Sequence, residues 1–296
     1  MRIVRSGERI EISCLEWALI NRHRVFNRLV GPLTPIALAP TQHVEAVAEV
    51  SDGENSGPGI ISFCSRDPRA ILVPDDGFII TRGYENLRKL AQANLTPWGK
   101  RIDRIIWRGS DTGSGVVSKP DMVAHDAELL PRVRLCLELR GVPGTDVKIS
   151  NVLRADGLAV NRGRLANAGI LGDFISPRTW CGCKFAIDID GNSNAWSNFF
   201  TRLLMGCCIL KIASPTGYRQ WYYDEIEPWT HFIPVAADLS DLHERVAWAR
   251  ANLDQCARIA ANGQAFAMTR TFETETARSA RHVYEAQKDG TLRNEL

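Results

Sequence analysis

The chain has 296 residues, a length that suits one large domain or two modest ones. Hydrophobic residues make up 45% and charged residues 24% of it, as in an ordinary globular protein whose core is large enough to need no disulfides. Lys and Arg number 36 against 34 Asp and Glu, which gives a net charge of +2. Because dedicated nucleic-acid-binding proteins carry a strong basic excess, this balance excludes that class and predicts no nucleic-acid partner.

The amino-terminal 24 residues carry charges throughout and contain no apolar run of signal-peptide length. No window approaches the roughly 20 apolar residues that a membrane span needs. The eight cysteines lack the paired spacing of a zinc site. These features predict a cytoplasmic protein whose thiols are reduced and largely buried.

The predicted elements begin with an amphipathic helix over residues 10–30, where apolar and basic residues recur at roughly helical spacing. An apolar stretch with prolines follows, then a strand or short helix over residues 44–50, and then a run of turn formers. The rest of this half is predicted to contain, in order, strands at 60–63 and 70–73, a turn at 74–77, a helix at 84–93 and a break at 96–100.

A second unit is predicted to start with a strand at 105–107, and the boundary between the units is placed near residues 95–103. The alternation of strands and helices predicts an α/β fold with largely parallel sheets. The elements of this second half are, in order, a helix at 124–139, strands at 146–150 and 184–189, a helix at 196–206, strands at 208–212 and 232–235, helices at 239–251 and 254–267, and a charged closing helix.

Three polar loops follow predicted strands, at residues 51–59, 108–115 and 190–198. In parallel α/β sheets, ligands bind beyond the carboxyl ends of the strands, where loops and helix starts converge. Arg108 offers a planar donor fork suited to a phosphate, and Gly109 permits close approach of the backbone. The loop fits neither the P-loop nor the dinucleotide fingerprint, so a plain turn with a surface arginine is the alternative.

Candidate carboxylates lie at three places. Asp52 stands among glycines at a strand end, where it is either a general base or a solvated turn residue. Asp188 and Asp190 alternate along a strand and therefore point to one face, as a pair that can hold a divalent cation; the alternative is that one of them caps the next helix. For Asp75 and Asp76, as for Asp52, a functional carboxylate and a solvated turn residue both remain open.

Taken in order, these segments resemble glycosyltransferase family 90, which includes lipopolysaccharide-modifying bacterial transferases and eukaryotic protein O-glucosyl- and O-xylosyltransferases. The resemblance covers roughly residues 44–270. The segments that carry it are residues 46–52, 60–64, 71–75, 106–110, 183–191, 195–197, 203–211, 227–235 and 238–242.

The resemblance implies a GT-B architecture, in which two Rossmann-like domains face a cleft. Residues 1–100 would form the acceptor domain and residues 101–264 the nucleotide-sugar-binding domain, and the helices at about 265–296 would pack back on the first domain. It implies neither a metal nor a cofactor, because such enzymes generally manage the diphosphate of their donor without metal.

The resemblance also implies an inverting hexosyl- or pentosyltransferase that uses a UDP-sugar. Asp52 would deprotonate the acceptor hydroxyl, which then attacks the anomeric carbon opposite the leaving UDP. The acceptor would be a bacterial surface glycan or its lipid-linked precursor, with peripheral contact at the cytoplasmic face of the inner membrane. The implied acceptor contacts are Asp75 and Asp76. The implied nucleotide-sugar contacts are Arg108, Gly109, Ser110, Thr112, Asp190, Gly191, Asn194, Trp196, Ser197 and Arg202.

The chain departs from the family pattern in its cations. Eukaryotic members carry a second arginine where this chain has Asp111, and some carry another in the later loop, where Ser197 follows Trp196. Arg202 is the substitute that the sequence offers for the latter. The missing arginines motivate one alternative hypothesis, a catalytically silent glycan- or nucleotide-binding relative. A second is a metal-dependent GT-A transferase that uses Asp188 and Asp190.

Overall fold

The structure is a computed structural model that describes residues 1–14, 22–154 and 157–295, without the side chains of residues 22–24. The chain forms two compact units. Unit 1 comprises Met1–Asn86, Thr216–Glu225 and Met268–Leu296, and unit 2 comprises Leu87–Pro215 and Ile226–Ala267.

The described residues form a mixed α/β fold. The strands are β1 Arg2–Ser6, β2 Arg9–Ser13, β3 His43–Val47, β4 Ile61–Ser62, β5 Cys64–Ser65, β6 Ile71–Leu72, β7 Ile102–Ser110, β8 Thr145–Asn151, β9 Cys183–Asp188, β10 Cys208–Ile212, β11 Arg219–Gln220 and β12 Ile233–Val235. The helices are α1 Arg22–Leu38, α2 Asp76–Ile80, α3 Glu85–Asn94, a 3₁₀ turn Trp98–Lys100, α4 Pro131–Glu138, α5 Leu158–Asn167, α6 Pro177–Trp180, α7 Ser197–Leu204, α8 Leu242–Ala251, α9 Leu253–Thr269 and α10 Phe272–Lys288.

Unit 2 is built around a five-stranded sheet in the order β12-β10-β9-β7-β8. Every neighbouring pair in it is parallel, which confirms the predicted parallel α/β organisation. The chain passes from β7 to β8 on one side and then crosses to β9 on the other side of β7. The strand order therefore reverses between β7 and β9, which makes this the topological switch point of the sheet.

Strands β9 and β10 of unit 2 are recognisable in the sequence because they are mostly apolar runs. All residues of β9 and of β10 are buried, as expected for parallel strands covered on both faces. The core that covers them includes Leu135 from α4 and Ile259 from α9.

The predicted helix at 124–139 is wrong in its first half, because α4 begins at Pro131. Leu130 stands before that proline with ψ of 136°, and a residue before proline is pushed out of the helical region. The proline itself is well placed at the first helical position, where its missing N–H costs nothing.

Unit 1 begins with an antiparallel sheet in the order β2-β1-β3, which differs from the parallel organisation expected from the sequence. Gly7, at a φ of 60°, turns the chain between β1 and β2. The predicted helix at 10–30 is therefore wrong over residues 10–13, which lie in β2, while residues 15–21 lie outside the described part. The alternation of Arg9-Ile10-Glu11-Ile12 has the period of a strand.

The remaining strands of unit 1 are short. β4 and β6 pair in parallel, a single parallel bridge joins Ala48 to Ile61, and β5 pairs antiparallel with β11. Helix α10 packs against α1 over this part of the fold. Within the stretches 1–14, 22–154 and 157–295, no helix combines the length and the apolar character that a bilayer span requires.

Candidate functional site

The carboxyl ends of β7 and β9 bring two loops together at the switch point of the unit 2 sheet. Loop A comprises residues 111–115 after β7, and loop B comprises residues 189–196 after β9. The backbone N–H of Gly113 donates to Asn192 Oδ1 at 3.0 Å, so the two loops are in direct contact. The structure thus places two of the three predicted polar loops side by side, at the edge where parallel sheets bind ligands.

Arg132 of α4 locks the two loops in place. Its Nε donates to the carbonyl of Asp190 at 2.9 Å and its Nη2 to the carbonyl of Ile189 at 3.1 Å. Its Nη1 donates to the carbonyl of Ser110 at 3.1 Å and to Thr112 Oγ1 at 2.7 Å. The side chain is buried, and through these hydrogen bonds it fixes the positions of both loops.

Sequence reasoning missed Arg132. Burial lowers its pKa, while the nearby carboxylates Asp188 and Asp190 act in the opposite direction. The signal in the sequence is a basic residue between two apolar residues at the start of a helix, at Pro131-Arg132-Val133. That signal alone does not say which groups the guanidinium serves, because its acceptors belong to other elements.

Two of the predicted glycines are needed for close packing. A Cβ on Gly191 would lie 2.6 Å from Thr112 Oγ1 and 2.9 Å from Arg132 Nη2. A Cβ on Gly109 would lie 2.4 Å from the Trp107 indole. Neither position has room for a side chain, which is why the backbone can approach so closely here.

Loop B ends in a strained residue. Trp196 has φ of 50° and ψ of −125°, a conformation that residues other than glycine rarely adopt. Its N–H donates to Asn194 Oδ1 at 2.9 Å, and α7 begins at Ser197 directly afterwards. The Trp196 side chain does not cap the helix, so the positive end of α7 opens onto loop B.

The two aspartates of the predicted cation pair have different surroundings. Asp188 is fully buried: its Oδ2 accepts from Lys211 Nζ at 2.8 Å and its Oδ1 from Asn198 Nδ2 at 2.9 Å. Both oxygens of Asp188 are therefore engaged within the protein, which leaves Asp190 as the one member of the pair that can turn to a ligand.

Asp190 is 9% exposed, and within the described residues neither carboxylate oxygen has a hydrogen-bond partner of ordinary geometry. Burial raises its pKa to about 6, and Asp188 acts in the same direction. The charges of Lys211 and Arg132 and the nearby Ser214 hydroxyl oppose this rise. Loop B therefore holds a buried carboxyl group whose pKa lies well above the ordinary value for an aspartate.

Arg108, predicted as a phosphate ligand, is held by internal partners. Its Nη2 forms a 2.8 Å ion pair with Asp146 Oδ2 on β8, and its Nε donates to the carbonyl of Asp173 at 2.9 Å. Its Nη1 donates to the carbonyls of Trp107 and Asp146, both at 2.8 Å. The structure thus gives Arg108 a role in joining β7 to β8, which the sequence could not show because Asp146 lies on the neighbouring strand.

Arg202 is likewise turned inward. Its guanidinium stacks on the Trp180 ring at 3.8 Å from the ring centre, and its Nη1 contacts Met205 Sδ at 3.6 Å. Burial lowers the pKa of Arg202 to about 10. These contacts hold the Arg202 guanidinium inside unit 2, and its role as the substitute for a missing loop arginine stays a prediction.

Asp52 lies in unit 1, in the loop after β3. Its Oδ1 accepts from Arg28 Nη2 of α1 at 2.8 Å, with both side chains largely buried. Gly53 follows at φ of 88°, and a Cβ there would lie 2.6 Å from the carbonyl oxygen of Cys64. The chain therefore turns tightly at Asp52, and the arginine fixes the direction of its carboxylate.

Asp75, predicted as an acceptor contact, is 1% exposed and caps α2. Its Oδ1 accepts from the N–H of Phe78 at 2.8 Å and from Tyr84 OH at 3.3 Å. Burial raises its pKa to about 6, although the Phe78 N–H acts in the opposite direction. Asp75 thus caps α2 from a buried position, and its predicted acceptor contact stays a prediction; Asp76, the first residue of α2, is partly exposed.

The strand order of unit 2, with two interlocked loops at its switch point, defines an α/β protein of the class that binds ligands at the carboxyl edge of a parallel sheet. The family model described as "Glycosyl transferase family 90" matches residues 43–275. The chain therefore belongs to glycosyl transferase family 90, and the resemblance drawn from its sequence is confirmed.

Similar proteins are found in viruses and vertebrates. Uncharacterized protein 035R of Invertebrate iridescent virus 3 is 31% identical over 173 residues, which are 58% of this chain and 15% of that protein. Protein O-glucosyltransferase 2 of Danio rerio is 26% identical over 223 residues, 73% of this chain and 40% of that protein. The chain thus spans less than half the length of either relative.

A solved structure with partial similarity is that of Anabaena Alr3699/HepE in complex with UDP-glucose. It is 13% identical, with a TM-score of 0.40, over 69% of this chain and 53% of that one. A TM-score of this size does not establish a shared fold.

Proposed function

We propose that this chain is an inverting glycosyltransferase of GT-B architecture that moves a sugar from a UDP-sugar to a hydroxyl group. The observation that carries the proposal is the pair of interlocked loops at the β7/β9 switch point, in a chain that belongs to glycosyl transferase family 90. Residues 1–100 are proposed as the acceptor domain and residues 101–264 as the donor domain.

The proposed donor site consists of loops A and B with the start of α7. The leaving UDP gains negative charge as the glycosidic bond breaks, so groups that stabilise an anion accelerate the reaction. The positive end of α7 opens onto loop B, and the Arg132 charge lies beneath both loops. These features support a diphosphate at this edge, with Gly191 allowing close approach.

The proposed base is Asp52. A base must be aimed at the proton that it removes, and the Arg28 guanidinium at 2.8 Å fixes the orientation of the Asp52 carboxylate. In the proposed reaction Asp52 takes the proton of the acceptor hydroxyl while the oxygen attacks the anomeric carbon. The new bond forms on the face opposite the departing UDP, and the configuration inverts.

The name of the Danio rerio relative, protein O-glucosyltransferase 2, supports glucose as the first sugar to test. A surface glycan or lipid-linked glycan acceptor, at the cytoplasmic face of a membrane, stays a prediction from the sequence resemblance. Asp75 and Asp76 stay the proposed acceptor contacts, and Asp76 is the more exposed of the two.

Replacement of Asp52 tests the proposed base. Asp52→Asn should lower the rate of UDP release from UDP-glucose by about 10²–10⁴-fold, because the amide cannot take a proton. Its affinity for UDP should stay within about twofold of the wild type, measured by calorimetry. Asp289→Asn, at an exposed position at the end of α10, is the matched control and should keep full turnover. Wild-type turnover by Asp52→Asn would show that another group is the base.

A second candidate is a catalytically silent nucleotide-binding relative. The observation that favours it is the inward placement of Arg108 and Arg202, which leaves fewer cations for a diphosphate. This candidate predicts binding of UDP-sugars without release of UDP from any of them. Detection of UDP release above the uncatalysed rate would eliminate it.

A further inference from the structure

Asp111 of loop A is a fully buried acid that fastens a neighbouring segment. Its Oδ1 accepts from the backbone N–H of Leu153 at 2.7 Å, and its Oδ2 faces the N–H of Arg154 at 3.4 Å. The segment after β8 is thereby fixed to the loop after β7. Because the carboxylate is enclosed, this attachment sets the position of Arg154 closely.

The side chain of Arg154 lies along loop A. Its Nη2 donates to the carbonyl of Gly113 at 2.6 Å and its Nη1 to the carbonyl of Gly115 at 2.8 Å. Both glycines have φ above 120°, a conformation that favours glycine. A guanidinium carries five N–H groups, so the contacts within the described part of the chain leave further donors for a ligand.

Arg154 also lies close to loop B. Gly113, whose carbonyl it contacts, donates its own N–H to Asn192 and would bring a Cβ within 3.3 Å of the Gly191 carbonyl. The guanidinium therefore contacts Gly113, the same residue that joins loop A to loop B. Its side chain is exposed, unlike that of Arg132.

The other arginines near this edge are held more tightly by contacts within the protein. Arg108 and Arg132 each make four hydrogen bonds to internal acceptors. Arg202 is stacked on Trp180. Arg154, by contrast, contacts two neutral carbonyls, and an anionic oxygen is a stronger acceptor for the same donors.

We propose that Arg154 binds the diphosphate of the nucleotide-sugar donor and that Asp111 is its positioning residue. This inference rests on the proposed function, because it assigns the cation of the proposed donor site. When the ligand enters, the Arg154 guanidinium either replaces its contacts with the two carbonyls or adds the phosphate to them. The backbone at Leu153 and Arg154, held by Asp111, keeps the guanidinium directed at loops A and B.

The test compares UDP with uridine, which lacks the phosphates, by calorimetry on the full chain. Arg154→Gln should weaken UDP binding by about 10–50-fold, the loss expected for a charge-assisted phosphate contact, and leave uridine binding unchanged. Arg162→Gln, an exposed arginine of α5, is the control and should change neither affinity. Thermal unfolding should show that both variants are folded.

Arg154→Lys provides an independent outcome that does not depend on the glutamine variant folding. An ammonium keeps the charge but not the planar fork, so UDP binding relative to uridine should fall by about threefold to tenfold. Asp111→Asn should also lower the ratio of UDP affinity to uridine affinity, since the segment that carries Arg154 is then held less firmly. In the double variant, Arg154→Gln should lower this ratio little further.

The outcomes separate the two proposals. A wild-type chain that binds neither UDP nor UDP-sugars would refute the proposed function. Wild-type UDP binding that stays unchanged in Arg154→Gln, or an unchanged ratio of UDP to uridine affinity in Arg154→Lys, would refute the role of Arg154 alone. An equal loss of UDP and uridine binding would also refute it, since that pattern indicates a structural effect.

Discussion

At the scale of single residues, Asp75 shows how a buried acid can serve the fold at a cost. Its carboxylate caps α2 through the Phe78 N–H, yet the side chain is almost completely enclosed. The pKa of about 6 lies above the ordinary 3.8, so the native state holds its proton to higher pH than the unfolded chain does. The stability that this difference contributes is present below pH 3.8 and is lost as the pH rises through 6.

Asp75→Asn should therefore stabilise the protein at neutral pH. Asparagine caps a helix as well as aspartate does, and it carries no charge to bury. We expect a gain of about 1–3 kcal/mol in the free energy of unfolding at pH 7.5, and no gain at pH 4, from denaturant titrations at both pH values. Asp76→Asn is the neighbouring control and should not stabilise. A gain of equal size at both pH values would contradict the explanation from pKa.

At the scale of elements, one buried ion pair joins β9, β10 and α7. Asp188 on β9 is bonded to Lys211 on β10 and to Asn198 on α7. A second pair on the same sheet, Lys184 with Asp103 at 3.2 Å, differs in that the Asp103 side chain is 51% exposed. The two pairs form a natural comparison between an enclosed and a solvated carboxylate.

Asp188→Asn should lower the free energy of unfolding by about 3–5 kcal/mol, because it leaves the Lys211 charge buried beside a neutral group. Asp103→Asn should cost less, about 1 kcal/mol, because the Asp103 carboxylate is half exposed and water screens its attraction to Lys184. Denaturant unfolding of the two variants measures this difference. If Asp188→Asn folded with wild-type stability but lost a turnover that depends on Mn²⁺, the GT-A hypothesis would replace the one proposed here.

Elements with a simple local signal could be predicted from the sequence. β9 and β10 are fully buried and mostly apolar, and the alternation with helices indicated their parallel arrangement. The hairpin of β1 and β2 was missed because the predicted helix was begun at residue 10, although the alternation of charged residues with isoleucine at residues 9–12 has the period of a strand. The start of α4 was missed because helical periodicity was followed back through Pro131.

The site was predictable to the extent that it follows from strand order. Parallel strands place their following loops at one edge, which is why residues 108–115 and 190–198 could be expected together. The partners of individual side chains could not be predicted, since Arg132 acts across elements and Asp146 captures Arg108 from a neighbouring strand. Asp111, at which the chain departs from the family pattern, holds the backbone of Leu153 and Arg154. The sequence could not reveal this contact between two separate segments.

At the scale of the whole molecule, the proposed sugar transfer depends on a nucleotide bound at the junction of loops A and B. Gly191 is the residue at which this junction can be disturbed most selectively. A Cβ there would approach Thr112 Oγ1 to 2.6 Å and push the loops apart, while the sheet beneath them remains intact.

The most direct test is calorimetric titration of UDP into the wild-type chain and into Gly191→Ala, without added metal. We expect saturable binding of one UDP per wild-type chain and an affinity at least about tenfold weaker in a folded Gly191→Ala. The absence of binding of UDP and of every UDP-sugar tried would contradict the proposed donor site. Equal UDP affinity in the two proteins would contradict it as well, because the nucleotide would then bind elsewhere.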